Sequence, residues 1–156
     1  MNKTSKSSDP QKAYNYAIRL LTAREYGYGE LVGKLCRKYE EDVSYLVAEH
    51  CRERGFQSDE RAAEMISRHT VARLAGPRYA YHEAQKRGLE VYLLNSYLEE
   101  IDFSEIALQF LERKYGDEAD FSPCGRQKML AALYRRGFDG STCLEALKQF
   151  SDNAPE

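Results

Sequence analysis

The chain has 156 residues, 42% of them apolar, with 23 Lys and Arg against 25 Asp and Glu, for a formal net charge of −2. That length suits one domain or a short array of small units, and the near-neutral balance argues against a polycation that coats nucleic acid. The longest apolar runs, such as Val91-Tyr92-Leu93-Leu94, fall far below the ~20 residues of a spanning helix, and polar Met1–Asp9 lacks the apolar segment of a signal peptide. A cytoplasmic protein with a frayed tail at residues 1–9 is therefore expected.

Asp9-Pro10 reads as an N-cap followed by proline at the first helical position, where the missing N–H costs nothing. Ala13, Ala17, Leu20 and Leu21 then form one apolar helical stripe, broken by Gly27 and Gly29. A second helix carries Leu31, Val32 and Leu35, with Glu30 in its first turn, where it favours the dipole. Asp42 is expected to cap a third helix with Val43, Leu46, Val47 and His50 inward, stopped by Gly55. Ser58 opens a fourth, with Ala62, Met65, Ile66 and His69 inward. Gly76-Pro77 ends it and starts a fifth, weakly striped helix that runs to Gly88. The sixth uses Val91, Leu94 and Leu98. Asp102 opens a seventh with Phe103, Ile106, Ala107, Phe110 and Leu111, closed by Gly116. Ser122-Pro123 starts an eighth with Leu130 and Leu133 inside, and Ser141 caps a ninth with Leu144, Leu147 and Phe150 facing in.

The nine helices fall into three triplets. The ends of the middle helices superpose as Leu35-Cys36-Arg37-Lys38-Tyr39, Ala84-Gln85-Lys86-Arg87-Gly88 and Leu133-Tyr134-Arg135-Arg136-Gly137, each 49 residues from the last. A repeat of this length matches supersecondary units that stack, each burying its neighbour's open face. The expected fold is all-α, with three tandem three-helix repeats stacked into an elongated, curved array. The repeats are placed at 10–56, 57–101 and 102–150, with tails at 1–9 and 151–156.

Charge alternates along the chain. Residues 1–39 hold eight cations against three acids, 67–88 five against one, and 121–138 four against none, while 40–66 and 89–120 are strongly acidic. The basic blocks cover the middle helices. If like helices line up, one side becomes a basic ridge of Arg37, Lys38, Arg73, Arg78, Lys86, Arg87, Arg126, Lys128, Arg135 and Arg136. Cations at helix C-termini also suit the dipole, by about 0.3–1 kcal/mol each. That effect does not require two adjacent cations in every repeat, nor Arg73 and Arg78 around Gly76-Pro77. Tyr26, Tyr28, Tyr79, Tyr81 and Tyr134 interleave with this charge, a pairing suited to protein interfaces and to stacking on exposed bases.

Catalytic and metal motifs are absent. There is no phosphate loop, nucleophile elbow or His-Glu-x-x-His, since Lys86 stands three beyond Glu83. His50-Cys51 with His69 matches no zinc spacing, and Cys36, Cys51, Cys124 and Cys143, without a Cys-x-x-Cys pair, read as reduced, partly buried thiols. The expectation is a binding protein with no enzymatic activity, cofactor or metal.

Ala17-Ile18-Arg19-Leu20-Leu21, Arg24-Glu25 and Glu30-Leu31-x-x-Lys34-Leu35 stand in the first triplet. Gly55-Phe56-x-x-Asp59-x-Arg61-x-Ala63, Arg73-x-x-Gly76-Pro77-Arg78 and Lys86-x-Gly88 follow in the second. Lys114-Tyr115-Gly116 and Tyr134-Arg135-Arg136-Gly137-Phe138 stand in the third. In this order the segments, over about residues 13–150, resemble the RecX family, bacterial regulators of the RecA recombinase. The chain departs from that pattern at Gly27 and Gly29, where the family often has a capping serine. It departs also at Ala62 for an aromatic, Tyr79 or Ala80 for an aliphatic residue, and Ala84 for a leucine.

The resemblance implies an array lying in the groove of the RecA–DNA filament, spanning protomers and lowering ATPase, strand-exchange and coprotease activities. It implies a place in DNA repair, homologous recombination and the SOS response. The partner is then RecA in filament form, with at most weak affinity for single- or double-stranded DNA, no membrane, and a monomeric protein. Arg24 and Lys34 join the ridge as candidate binding residues. A free-standing helix-turn-helix-like DNA-binding protein is the alternative, since short helices in threes also suit groove recognition.

Overall fold

The computed structural model describes residues 5–155, and among them every regular element but one short 3-10 turn at Gly116–Glu118 is an α-helix. In chain order these are α1 (Pro10–Ala23), α2 (Tyr28–Cys36), α3 (Glu41–Glu53), α4 (Asp59–Ala72), α5 (Pro77–Lys86), α6 (Tyr92–Glu99), α7 (Phe103–Lys114), α8 (Pro123–Arg135) and α9 (Gly140–Asp152). Three starts follow the expected chemistry. Asp9 accepts from the N–H groups of Gln11 and Lys12, Asp102 from those of Ser104 and Glu105, and Ser122 from that of Gly125. Each satisfies donors that the first helical turn leaves unpaired.

The chain packs as two compact units, residues 1–65 with 84–93 and residues 66–83 with 94–156. The second triplet is thus divided between them. In the first unit α3 packs on both α1 and α2, and Ala13, Ala17, Leu31, Leu35, Val47 and Cys51 form the core. In the second, α9 packs on α7 and α8 around Leu111, Met129, Leu133, Phe138 and Leu147. Fully buried leucines such as Leu31 and Leu35 each contribute about 1.5–3 kcal/mol.

Several inward faces differ from the expected ones. On α3 the buried residues are Val43, Ser44, Val47, Ala48 and Cys51, whereas Leu46 is 63% exposed and His50 is exposed. On α9 they are Cys143, Ala146, Leu147 and Phe150, with Leu144 61% exposed. The reason is shared. On each helix the buried residues form one stripe that meets both neighbours, and Leu46 and Leu144 lie just off it. On α4, His69 is exposed and Met65 only half-buried, while Ala62, Ala63, Ile66, Ser67 and Thr70 go in. Thr70 is buried because its hydroxyl donates to the Ile66 carbonyl at 2.8 Å.

Two caps also shift. Asp42 lies inside the first turn of α3, its carboxylate accepting from the Val43 N–H at 2.8 Å, and Ser141 lies inside α9, which starts after Asp139. The segments read as tails are partly ordered. Ser7 is bridged to Tyr39, and α9 continues to Asp152; residues 1–4 and 156 lie outside the described residues. Among the described residues no helix is long and apolar enough to cross a membrane, and no group of three or more His, Cys, Asp or Glu is placed to hold a metal ion.

Candidate partner-binding surface

The start of α2 has no side-chain cap of its own. A Cβ on Gly27 would stand 2.9 Å from the Arg87 carbonyl oxygen and 3.0 Å from Leu89 Cδ2, so glycine is what lets the end of α5 approach this closely. The orphan N–H of Tyr28 donates instead to Asp59 Oδ1 at 2.8 Å, and Gln57 Nε2 donates both to that oxygen (2.9 Å) and to the Tyr26 carbonyl (3.1 Å). A carboxylate from α4 thus does the work of the serine that the family pattern places before the helix. Arg61 Nε donates to Glu25 Oε1 at 2.9 Å and its Nη2 to the Gly55 carbonyl at 2.8 Å.

The same seam recurs 49 residues on, where Gly27 becomes Gly76 and Gly88 becomes Gly137. The Gly76 N–H donates to the Arg136 carbonyl at 2.9 Å, and the Arg78 N–H to the Gly137 carbonyl at 3.2 Å. A Cβ on Gly76 would fall within 3.0 Å of the Gly137 carbonyl and the Phe138 nitrogen, and Gly137 itself has φ +94°, a region other residues rarely adopt. A third version closes the first middle helix. The Ser7 N–H donates to the Lys38 carbonyl and the Glu40 N–H to the Ser7 carbonyl, both at 3.0 Å. Lys38 stands one repeat before Arg87 and two before Arg136.

These seams sort the candidate cations. Arg24 is internal: its guanidinium donates to Glu30 Oε1 at 2.5 Å and to the Glu25 carbonyl at 2.7 Å, and lies 3.7 Å from the Tyr26 ring centre. The hydrogen bond with Glu30 raises its pKa above the ordinary value, outweighing partial burial. Lys34 and Arg87 are half-buried, whereas Arg37, Lys38 and Lys86 are exposed. Lys38 Nζ stands 4.4 Å and the Arg19 guanidinium 5.2 Å from the Tyr16 ring centre, a basic-aromatic group on α1 and the turn after α2 in which Arg19 and Tyr16 had no role in the ridge.

In the second unit Arg73, Arg78 and Arg136 gather at the seam. Arg78 donates to the Tyr134 carbonyl at 2.6 Å and lies 3.9 Å over that ring, while Arg136 donates to the carbonyls of Arg73 and Leu74. Arg135 projects into solvent beside them. Arg126 and Lys128 are exposed near the other end of α8, about 10–15 Å along its axis at 1.5 Å per residue. Arg126 donates to the Phe121 carbonyl at 2.8 Å and to Ser151 Oγ at 3.0 Å.

Of the interleaved tyrosines, Tyr28 carries Arg52 at 4.4 Å and Tyr79 carries Arg73 at 5.4 Å, and Tyr81 donates its hydroxyl to Asn95 at 3.2 Å. Arg113 and Lys114, set in an acidic stretch, come to the Arg73–Arg136 group. Block-averaged charge hides them.

Comparison with known proteins places this arrangement. The model of the RecX first three-helix domain matches residues 13–51. A protein named Regulatory protein RecX from Legionella pneumophila (strain Corby) is 34% identical over 142 residues, covering 88% of this chain and 94% of its own. One of the same name from Acinetobacter baylyi is 29% identical over 144 residues, covering 90% and 89%. The crystal structure of RecX from Lactobacillus salivarius shares the fold with a TM-score of 0.78 at 18% identity, over 91% of this chain and 96% of that one. A second RecX crystal structure gives 0.73 at 19% identity, over 92% and 72%. Motifs that carried the resemblance, from Arg24-Glu25 through Asp59-x-Arg61 to Gly76-Pro77-Arg78, are those that build the seams, and with a relative matched along nearly its whole length the chain belongs to the RecX family.

Proposed function

We propose that this protein regulates RecA recombinase by binding the RecA–DNA filament in its groove, lowering ATP hydrolysis, strand exchange and coprotease activity. The observation that carries this reading is family membership along nearly the full length of a regulatory relative. The surface supports it physically. Exposed cations such as Arg37, Lys86, Lys128 and Arg135 are distributed over the ends and faces of successive middle helices. A repeated element that presents such groups at intervals suits a polymeric, acidic partner, each contact raising the effective concentration of the next. In this reading the protein acts as a cytoplasmic monomer with no chemistry of its own.

The test is DNA-dependent ATP hydrolysis by the cognate RecA, with this protein titrated from substoichiometric to equal ratios, alongside co-sedimentation with filaments, RecA alone and DNA alone. Slowed hydrolysis and filament-dependent pelleting are expected. Unchanged hydrolysis with folded protein refutes the reading, and binding to bare DNA alone favours the helix-turn-helix alternative. Arg37→Glu with Arg135→Glu should weaken inhibition while helicity is kept. Arg136 is unsuitable for this purpose because it holds two backbone carbonyls.

A further inference from the structure

In the second unit, Arg73, Leu74, Phe110, Arg113, Lys114 and Arg136 line a cavity of about 400 Å³. Four of the six are cations, and none of the four forms an ion pair with a carboxylate among the described residues. Glu112, next in sequence, is turned away and lines a different cavity with Phe121 and Phe150. Arg113 and Lys114 are the only cations of residues 89–120, where nine acids surround them in sequence, and both join this cup. Phe110 forms part of its wall, with the Arg136 guanidinium 5.4 Å and Lys114 Nζ 5.6 Å from the ring centre.

One wall is held in an unusual backbone state. Leu74 has φ +50°, the one non-glycine positive φ among the described residues, a conformation that a bulky side chain adopts only when its surroundings enforce it. It closes the end of α4, with the Leu74 N–H donating to the Val71 carbonyl and the Ala75 N–H to the Thr70 carbonyl, and Arg136 donates to the Leu74 and Arg73 carbonyls beside it. Arg113 and Lys114 also line the cup, both exposed and with no side-chain hydrogen bond among the described residues.

We infer that this cup binds the backbone of a single DNA strand, with a phosphate held by Arg113 and Lys114 and an adjacent base against Phe110. Clustered cations without a countercharge suit phosphate. An aromatic face among them suits a base, which an acidic protein surface does not supply. The inference rests on the filament reading for where such a strand is met, and not for whether the cup binds one.

The test is fluorescence anisotropy of a labelled oligothymidylate at low and moderate salt, with wild type, Arg113→Gln/Lys114→Gln and Phe110→Leu, and Lys12→Gln/Arg54→Gln, both exposed, as a control in the other unit. Circular dichroism verifies folding of each. Wild type should bind at low salt, and the Arg113/Lys114 variant about tenfold or more weaker. Its log–log salt slope should be shallower by about 1.4, about 0.7 for each cation removed. Phe110→Leu should bind about fivefold or more weaker at unchanged slope, and the control should bind as wild type.

No binding by wild type, or equal binding by the Arg113/Lys114 variant, overturns the inference. So does loss of filament co-sedimentation by the Arg113/Lys114 variant with its oligonucleotide binding intact, which marks a protein contact. Loss of RecA inhibition by wild type would sink the filament reading alone.

Discussion

Replacing Gly76 by alanine tests the seam described above. The added Cβ falls within 3.0 Å of the Gly137 carbonyl and the Phe138 nitrogen. These are backbone atoms and cannot rotate aside, so the two segments must part. Parting breaks the bonds from the Gly76 and Arg78 N–H groups, now 2.9 and 3.2 Å long, at about 0.5–1.5 kcal/mol each. Strain from overpacking adds about 1–3 kcal/mol, and the reduced freedom of alanine in the unfolded chain returns about 0.4–1 kcal/mol.

A net loss of about 2–4 kcal/mol follows, a fall of roughly 5–15 °C in Tm for a chain of this size. Gly33 is the control. It lies in α2 with nothing within 4 Å of a Cβ, so Gly33→Ala should stabilise by about 0.5–1 kcal/mol. Thermal and urea unfolding followed by circular dichroism measure both. A Gly76→Ala protein melting within 1 °C of wild type would refute the argument that this close approach matters to stability.

Asp59→Ala removes the cap supplied to Tyr28 and should destabilise by about 0.5–2 kcal/mol in urea unfolding; an unchanged midpoint would mean that water serves that N–H equally well. Cys124 is exposed, whereas Cys51 and Cys143 are buried and burial raises their thiol pKa, so a maleimide should modify Cys124 well ahead of those two, as peptide mapping by mass spectrometry would show. Asp120 accepts from the Ser122 N–H and hydroxyl, and the backbone bond foremost holds its pKa below the ordinary value. Its contribution is therefore complete above the unfolded-state pKa of about 3.9 and lost as the pH falls through the lower native value. Asp120→Asn should lower Tm at pH 7 and lose that effect in strong acid, and a pH-independent difference would exclude the charge as its cause.

The helix starts at Pro10, Phe103 and Pro123 were legible because Asp9, Asp102 and Ser122 act on residues two or three away, and local chemistry suffices to read them. The inward faces of α3 and α9 were not. Leu46 and Leu144 fit an apolar period as well as Ser44, Ala48, Cys143 and Ala146 do, and only the placement of two neighbours decides which stripe is buried. Cationic doublets at Arg37-Lys38, Lys86-Arg87 and Arg135-Arg136 were visible as sequence. The loss of Arg24 to Glu30, and of Arg136 to the carbonyls of Arg73 and Leu74, depends on chain segments that only folding brings together. Arg113 and Lys114 were passed over because charge counted along the chain cannot show that two cations leave an acidic stretch to join others on a distant loop.

Seams that repeat at a fixed interval also bear on how such a chain changes over evolutionary time. Excision of Tyr28–Gly76 would join Gly27 to Pro77 and present to Gly137 the same kind of residue that Gly76 presents now. A tandem duplication of the same stretch would set Gly27 against a second Tyr39, while the two copies of Gly76 face Gly88 and Gly137. Loss of a triplet therefore keeps this glycine contact, whereas gain of one calls for a glycine where Tyr39 now stands. Excision also removes Lys38, so Ser7 would then meet Arg87, one repeat on, while the Asp120 turn packed against Gly125 is untouched. Length in this lineage is a quantity that recombination within the gene can alter in whole steps.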